Sequence, residues 1–318
     1  MTDKTGDNDA PGTPAVPRVS NTRAIGTVGQ GLITDAAIPK SRVRAWALWD
    51  WGSAAFNAVV TTFVFSTYLA SGLFIDPEIV AAAGDDEKNP ALVLAKAGNT
   101  TVISGALTIA GILVAILAPI LGQRSDGSGR RKLWLAINTG LVVLAMGAMF
   151  FVEPIPSYIY LGAALLAAGN IFFEFASVNY NAMLAQISTP KTLGRVSGFG
   201  WGMGYIGGIV LLIILLVLFI QDFGSETGSG LLNAPSGTEG GALDIRYAVL
   251  ASAAWFAIFA IPVLIAVPEI PASARENRVS FFASYAKLFG TIKVSCSPAS
   301  LCSWSATPRP GSGSPDSS

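Results

Sequence analysis

Six long apolar segments, separated by short polar gaps, restrict this chain to the membrane. They run over residues 46–74, 98–122, 133–152, 156–185, 196–220 and 246–267. Each approaches or exceeds the roughly 20 residues an α-helix needs to cross the hydrocarbon of a bilayer. Inside that hydrocarbon every backbone N–H and C=O must be satisfied within the protein, so the segments are read as helices. The fourth is long enough to tilt or protrude. Composition agrees: 52% of residues are hydrophobic and 13% charged, whereas a soluble domain carries about 25% charged residues. The expected fold class is all-α integral membrane.

Charge placement gives an orientation. Six Lys/Arg precede the first segment. Arg124, Arg130, Arg131 and Lys132 lie between the second and third, and Lys191 and Arg195 between the fourth and fifth. Arg275, Arg278, Lys287, Lys293 and Arg309 follow the sixth. The opposite face has only Lys88, Lys96 and Arg246, and its first gap carries Asp85, Asp86 and Glu87. Basic residues concentrate on the cytoplasmic side of membrane proteins. Both termini are therefore expected in the cytoplasm, with the plasma membrane as the expected location. The 20 basic and 20 acidic residues cancel, so there is no global basic surface for nucleic acid.

Four regions follow. Residues 1–41, rich in Asp, Thr, Pro and Gly, are expected to form a disordered cytoplasmic tail. Residues 42–268 hold the helical bundle. In 269–293, Phe281, Phe282, Tyr285, Leu288, Phe289 and Ile292 recur at helical spacing among Arg278, Lys287 and Lys293. That pattern predicts an amphipathic helix on the cytoplasmic surface, or one packed on protein. Residues 294–318 are dominated by Ser, Pro and Gly and read as disordered, like an out-of-frame end on a longer gene. The apolar run beginning near residue 45 is too far in and too long for a signal peptide.

Several chemistries are excluded. The chain has no histidine, which removes Ser-His and Cys-His nucleophile pairs and His-ligated zinc or haem. Cys296 and Cys302 lack a metal-site spacing. No Walker-type phosphate loop is present. The chain is not expected to be an enzyme, and no cofactor or metal is expected.

The gap between the second and third segments reads Gly122-Gln123-Arg124-Ser125-Asp126-Gly127-Ser128-Gly129-Arg130-Arg131-Lys132. Gly122, Asp126, Gly129, Arg130 and Arg131 resemble the signature loop of the major facilitator superfamily; Gly127 departs where that pattern has a base. The glycines allow a tight turn, and Asp126 can pair with Arg130 or another helix, as in a charge cluster that gates the cytoplasmic side. Three other stretches resemble the branch containing the autophagy-related vacuolar amino-acid effluxers and their bacterial relatives. They are Trp46 to Asn57, with Trp49-Asp50-Trp51-Gly52 and Phe56-Asn57; Phe173 to Leu184; and the glycine-dense Gly194 to Gly208. The resemblance spans roughly residues 42–293. It implies two three-helix repeats, as in one half of that fold, and secondary transport of a small polar solute, most naturally an amino acid, by alternating access. The coupling ion could be a proton. The family has twelve helices and this chain six, so a homodimer or a missing second half is the implied partner. The alternatives are a truncated, non-transporting half and a membrane scaffold or subunit of a larger permease.

Helix geometry nominates the site. At 100° per residue, Asn57 and Thr61 fall within about 20° of Asp50 in the first segment. In the fourth, Asn170, Glu174, Ser177 and Asn181 span about 60°. Polar stripes avoid lipid and face a bundle interior or cavity, so these residues are the candidate solute contacts. Glu174 sits in an apolar run, where a carboxylate is costly unless paired, protonated or hydrated. It reads either as a site for a solute amine or a proton, or as a structural carboxylate bonded to a neighbouring helix. Asp50 lies near a helix start, where an anion is also stabilised without any function. In the fifth segment Gly198 and Gly202, and Gly200, Gly204 and Gly208, recur every four residues. That spacing permits close helix approach.

Overall fold

Caps and charges decide where the helices begin and end. The computed structural model describes residues 38–221 and 229–269. Residues 1–37 of the amino-terminal tail, the surface helix expected within 269–293 (save residue 269) and the carboxyl-terminal tail lie outside the described residues; Lys40 and Ser41 already belong to the first helix. Eight α-helices are present among them: α1 (Lys40–Ala54), α2 (Phe65–Ala70), α3 (Pro77–Ala83), α4 (Pro90–Ser128), α5 (Arg131–Met149), α6 (Ile159–Ile187), α7 (Leu193–Leu215) and α8 (Leu243–Ala266). A π-helical segment, Ala55–Phe63, joins α1 to α2, and Leu216–Ile220 extends α7 in the same way. Six spans result: Lys40–Ala70, Pro90–Gly122, Arg131–Met149, Pro156–Ile187, Leu193–Ile220 and Leu243–Ala266.

The second span starts at Pro90 rather than 98. Asn89 Oδ1 accepts the backbone N–H of Ala91 at 3.0 Å and proline occupies the first turn, a strong helix start. Lys96, Asn99, Thr100 and Thr101 lower the hydropathy there without breaking the helix. Their hydroxyl neighbours bond back along it, Thr100 to the Lys96 carbonyl at 2.9 Å and Ser104 to that of Thr100 at 2.6 Å. At the other end α4 closes on Gly129, whose φ of 66° is left-handed. That conformation favours glycine and stops a helix sharply.

Helix pairing reveals the repeats. The first span packs along α7 and α8, α6 packs along α4 and α5, and α5 packs on α8. Exchanging the first three spans with the last three converts each pairing into another on the same roster. Two three-helix repeats of opposite orientation have this property, because three spans per repeat invert the second. Side chains repeat the relation. Lys132, at the start of α5, donates to the Val267 carbonyl beyond the end of α8 at 3.2 Å. Arg246, at the start of α8, donates to the Phe150 carbonyl beyond the end of α5 and lies 4.8 Å from the Phe150 ring centroid. Each cation meets the negative end of the partner helix.

Lipid offers little hydrophobic drive for helix association, so close contact must supply it. On α7 a Cβ at Gly207 would sit 2.6 Å from the Trp51 carbonyl oxygen, and one at Gly208 3.4 Å from Ala54 Cβ. Gly198 and Gly202 face open space. Of the two four-residue glycine series, the one through Gly200, Gly204 and Gly208 packs on α1. Gly207→Ala is expected to lower stability by about 1–3 kcal/mol through overpacking, with Gly202→Ala near neutral. Thermal unfolding of both variants in detergent checks this; equal effects would contradict the packing.

Candidate functional site

The first span carries its tryptophans inward. Trp46 and Trp49 are 2% and 1% exposed. Trp46 stacks on Tyr180 of α6 at 4.4 Å and 1° between planes, and Trp49 stacks on the same ring at 4.3 Å. Both indoles are satisfied: Trp46 Nε1 donates to the Tyr180 carbonyl and Trp49 Nε1 to Thr139 Oγ1 of α5, each at 3.1 Å. Phe173 extends the cluster, 5.1 Å from Phe56 and 6.1 Å from Trp49. A bare Gly169 makes room for Phe56, whose ring would meet a Cβ there at 2.7 Å. The cluster thus fixes α1 to α6 at one azimuth.

Above this cluster the first span widens into the π-helical segment. Thr61 Oγ1 donates to the Phe56 carbonyl at 3.2 Å and Thr62 Oγ1 to that of Asn57 at 2.7 Å, each five residues back. Such turns often mark functional sites. The extra residue per turn also corrects the stripe expected from 100° geometry. Thr62, not Thr61, follows Asn57 on the inner face.

A cavity of about 500 Å³ opens among the first span, α6 and α7, within the size range of small-molecule sites. Asp50, Ser53, Asn57 and Thr62 line it from the first span, and Phe173, Ser177, Tyr180 and Asn181 from α6. Trp201, Gly204, Tyr205, Gly208, Ile209 and Leu212 close it from α7. Asn181 Nδ2 donates to Ser177 Oγ at 3.2 Å. Ser53 Oγ donates to the Asp50 carbonyl at 3.1 Å and reaches Asp50 Oδ1 only at 3.4 Å.

Four of the six nominated contacts therefore share one cavity: Asp50, Asn57, Ser177 and Asn181. Asn170 and Glu174 are half-buried on α6 and lie outside the lining. Val178 faces Gly122 of α4, 3.4 Å from a Cβ built there. By helical phase Glu174 falls between Asn181 and Val178, at the seam toward α4. The aromatic lining went unnoticed in the sequence. The signal was available in Trp201 and Tyr205, an aromatic pair four residues apart bracketing Gly204.

The loop between α4 and α5 is only Gly129 and Arg130. Arg131 Nη1 donates to the Ala182 carbonyl of α6 at 3.3 Å, so the start of α5 is tied to α6 and, through Lys132, to the end of α8. The Asp126 side chain lies outside the described ones.

Six spans in two inverted three-helix repeats, with a cavity among the first span, α6 and α7, define one half of a major facilitator fold. The sequence model described as vacuole effluxer Atg22 like matches residues 39–297. The chain belongs to that family. An uncharacterized MFS-type transporter, YxiO of Bacillus subtilis (strain 168), is 28% identical over 224 residues. The match covers 70% of this chain and 45% of the relative, so the chain spans about half the length of the curated relative it matches.

Cavity access is checked by thiol labelling, with Cys296 and Cys302 replaced by serine. Asn57→Cys, Ser177→Cys and Asn181→Cys are expected to react rapidly with a small charged reagent, and the fully buried Ala176→Cys slowly. Equal rates at the four positions would contradict the cavity.

Proposed function

We propose that the protein is a secondary transporter that moves a small polar solute by alternating access, with both termini in the cytoplasm of a cell bounded by its plasma membrane. The observation that carries this reading is the cavity among the first span, α6 and α7. Its walls join an otherwise costly intramembrane carboxylate, Asp50, to neutral hydrogen-bonding groups on a second helix. Intramembrane ionisable groups facing a cavity mark solute and ion pathways by default. Amino acids are the solute class the family resemblance favours.

Asp50, Asn57, Ser177 and Asn181 are the solute contacts. Glu174, off the lining, suits a coupling proton better than solute contact, and Asn170 supports it one turn away. Gly122, Asp126, Gly129, Arg130 and Arg131 form the gate on the basic side. The hydrogen bond from Arg131 to the end of α6 supports this role, since releasing it frees the helix that carries half the cavity wall. Phe63, Trp201 and Tyr205 are all 60% exposed or more, so one wall of the cavity is open. Transport therefore needs a second six-helix body, a second copy or a family-type second half.

Uptake of labelled leucine and other amino acids into proteoliposomes tests the proposal, using the 318-residue chain beside a version extended by a family-type second half. Uptake by the chain alone assigns the second body to another copy. Uptake only by the extended version assigns it to a second half. No uptake by either overturns the reading. In whichever form is active, Glu174→Gln is expected to abolish proton-driven uptake with the protein folded in the membrane; wild-type flux would refute its role.

A further inference from the structure

The cavity walls differ sharply in charge. Asp50 is the one ionisable carboxylate among the described lining residues, and no Lys or Arg joins it. Its own helix does little to satisfy it, since Ser53 Oγ reaches Oδ1 only at 3.4 Å. The carboxylate lies against bare backbone instead. A Cβ at Gly204 would sit 3.3 Å from Asp50 Cγ and 3.4 Å from Oδ2. One turn earlier on α7, a Cβ at Gly200 would sit 3.3 Å from the Tyr180 hydroxyl. Carboxylate and phenol therefore stand about one helical rise of 6 Å apart along α7. The Tyr180 hydroxyl is buried and has no hydrogen-bond partner, and Tyr180 is 3% exposed.

Two exposed rings flank the carboxylate. Trp201 and Tyr205 bracket Gly204 with centroids 6.0 Å apart, and are 64% and 67% exposed. Trp49 and Tyr180 are buried in the stack with Trp46, so Trp201 and Tyr205 are the exposed rings of the α7 wall. The negative faces of aromatic rings attract cations, most strongly for tryptophan. A carboxylate with two exposed rings beside it and no fixed positive charge is a receptor for a cationic nitrogen. It offers a carboxylate group on the solute only neutral donors such as Asn57 and Asn181.

We propose that this cavity recognises a monocationic amine with an apolar body, its ammonium held by Asp50 and flanked by Trp201 and Tyr205. This rests on the reading of the cavity as the solute site, and it narrows the solute class. Amines and amino-acid amides or esters bind best, zwitterionic amino acids less well, and N-acylated amino-acid anions least. The glycines at 200 and 204 have a second role here, since any side chain at 204 would cover the carboxylate.

Equilibrium binding tests this apart from transport. The purified full chain in nanodiscs is dialysed against labelled phenethylamine, leucine amide, leucine or N-acetyl-leucine. The expected order of affinity is phenethylamine and leucine amide over leucine over N-acetyl-leucine. Asp50→Asn is expected to weaken phenethylamine by more than about tenfold, the factor that 1.4 kcal/mol represents. Trp201→Ala, at an exposed position that folding does not need, is expected to weaken it by about threefold, in keeping with an exposed cation–π contact. Both variants are checked for helix content and monodispersity. Saturable amine binding without uptake in proteoliposomes would sink the transport reading and leave this site standing. Absence of amine binding to folded protein, preference for N-acetyl-leucine, or unchanged phenethylamine affinity in both variants would overturn the proposal.

Discussion

The stack of Trp46 and Trp49 on Tyr180 is the contact on which the remaining architecture depends. It joins the first span of one repeat to the first span of the other at the height of the cavity. In lipid, apolar side chains gain little by leaving solvent, so association relies on close packing and hydrogen bonds. These two indoles supply both. Each lays a large flat face on the same phenol ring and places its N–H on an acceptor of a neighbouring helix. Removing Trp46 would open a large void and leave the Tyr180 ring uncovered; losses of about 3–5 kcal/mol accompany such truncations.

The rest of the bundle arranges itself about that contact by symmetry. The first span and α6 occupy equivalent positions, each sandwiched by two helices of the opposite repeat. α4 and α7, also equivalent, bury the least of their surface. α5 and α8 close the pair by exchanging cations onto each other's carboxyl ends. Glycines on α7 bring the first span close enough for Asp50 to rest on bare backbone. The π-helical segment then turns Asn57 and Thr62 into the same space. Helix packing and cavity chemistry are therefore set by the same few residues.

Much of this was legible in the sequence, because membrane spans announce themselves by length and hydropathy. All six were located, with the largest boundary shift at Pro90, where a polar amino-terminal turn hides a well-capped helix. The glycine spacing on α7 was legible, but which of its two series packs depends on the azimuth of the first span. The polar stripes were legible only in part. Thr61 was out of phase because the first span does not keep 3.6 residues per turn. Asn170 and Glu174 share a stripe with Ser177 and Asn181 but precede them along α6, and the cavity meets that stripe only at its carboxyl-terminal end. Angular position within a helix says which residues are neighbours, and only the packing partner says which of them faces inward. The aromatic wall escaped notice because a tryptophan or tyrosine in a span reads equally well as lipid-facing or core.

The measurement that bears most directly on the site is an electron cryo-microscopy map of the full chain in nanodiscs saturated with phenethylamine. The geometry requires ligand density beside Asp50 and Gly204, between the Trp201 and Tyr205 rings, with the Trp46–Tyr180–Trp49 stack intact beneath it. Density at Glu174 on the α4 side of α6, with the Asp50 face empty, would contradict it.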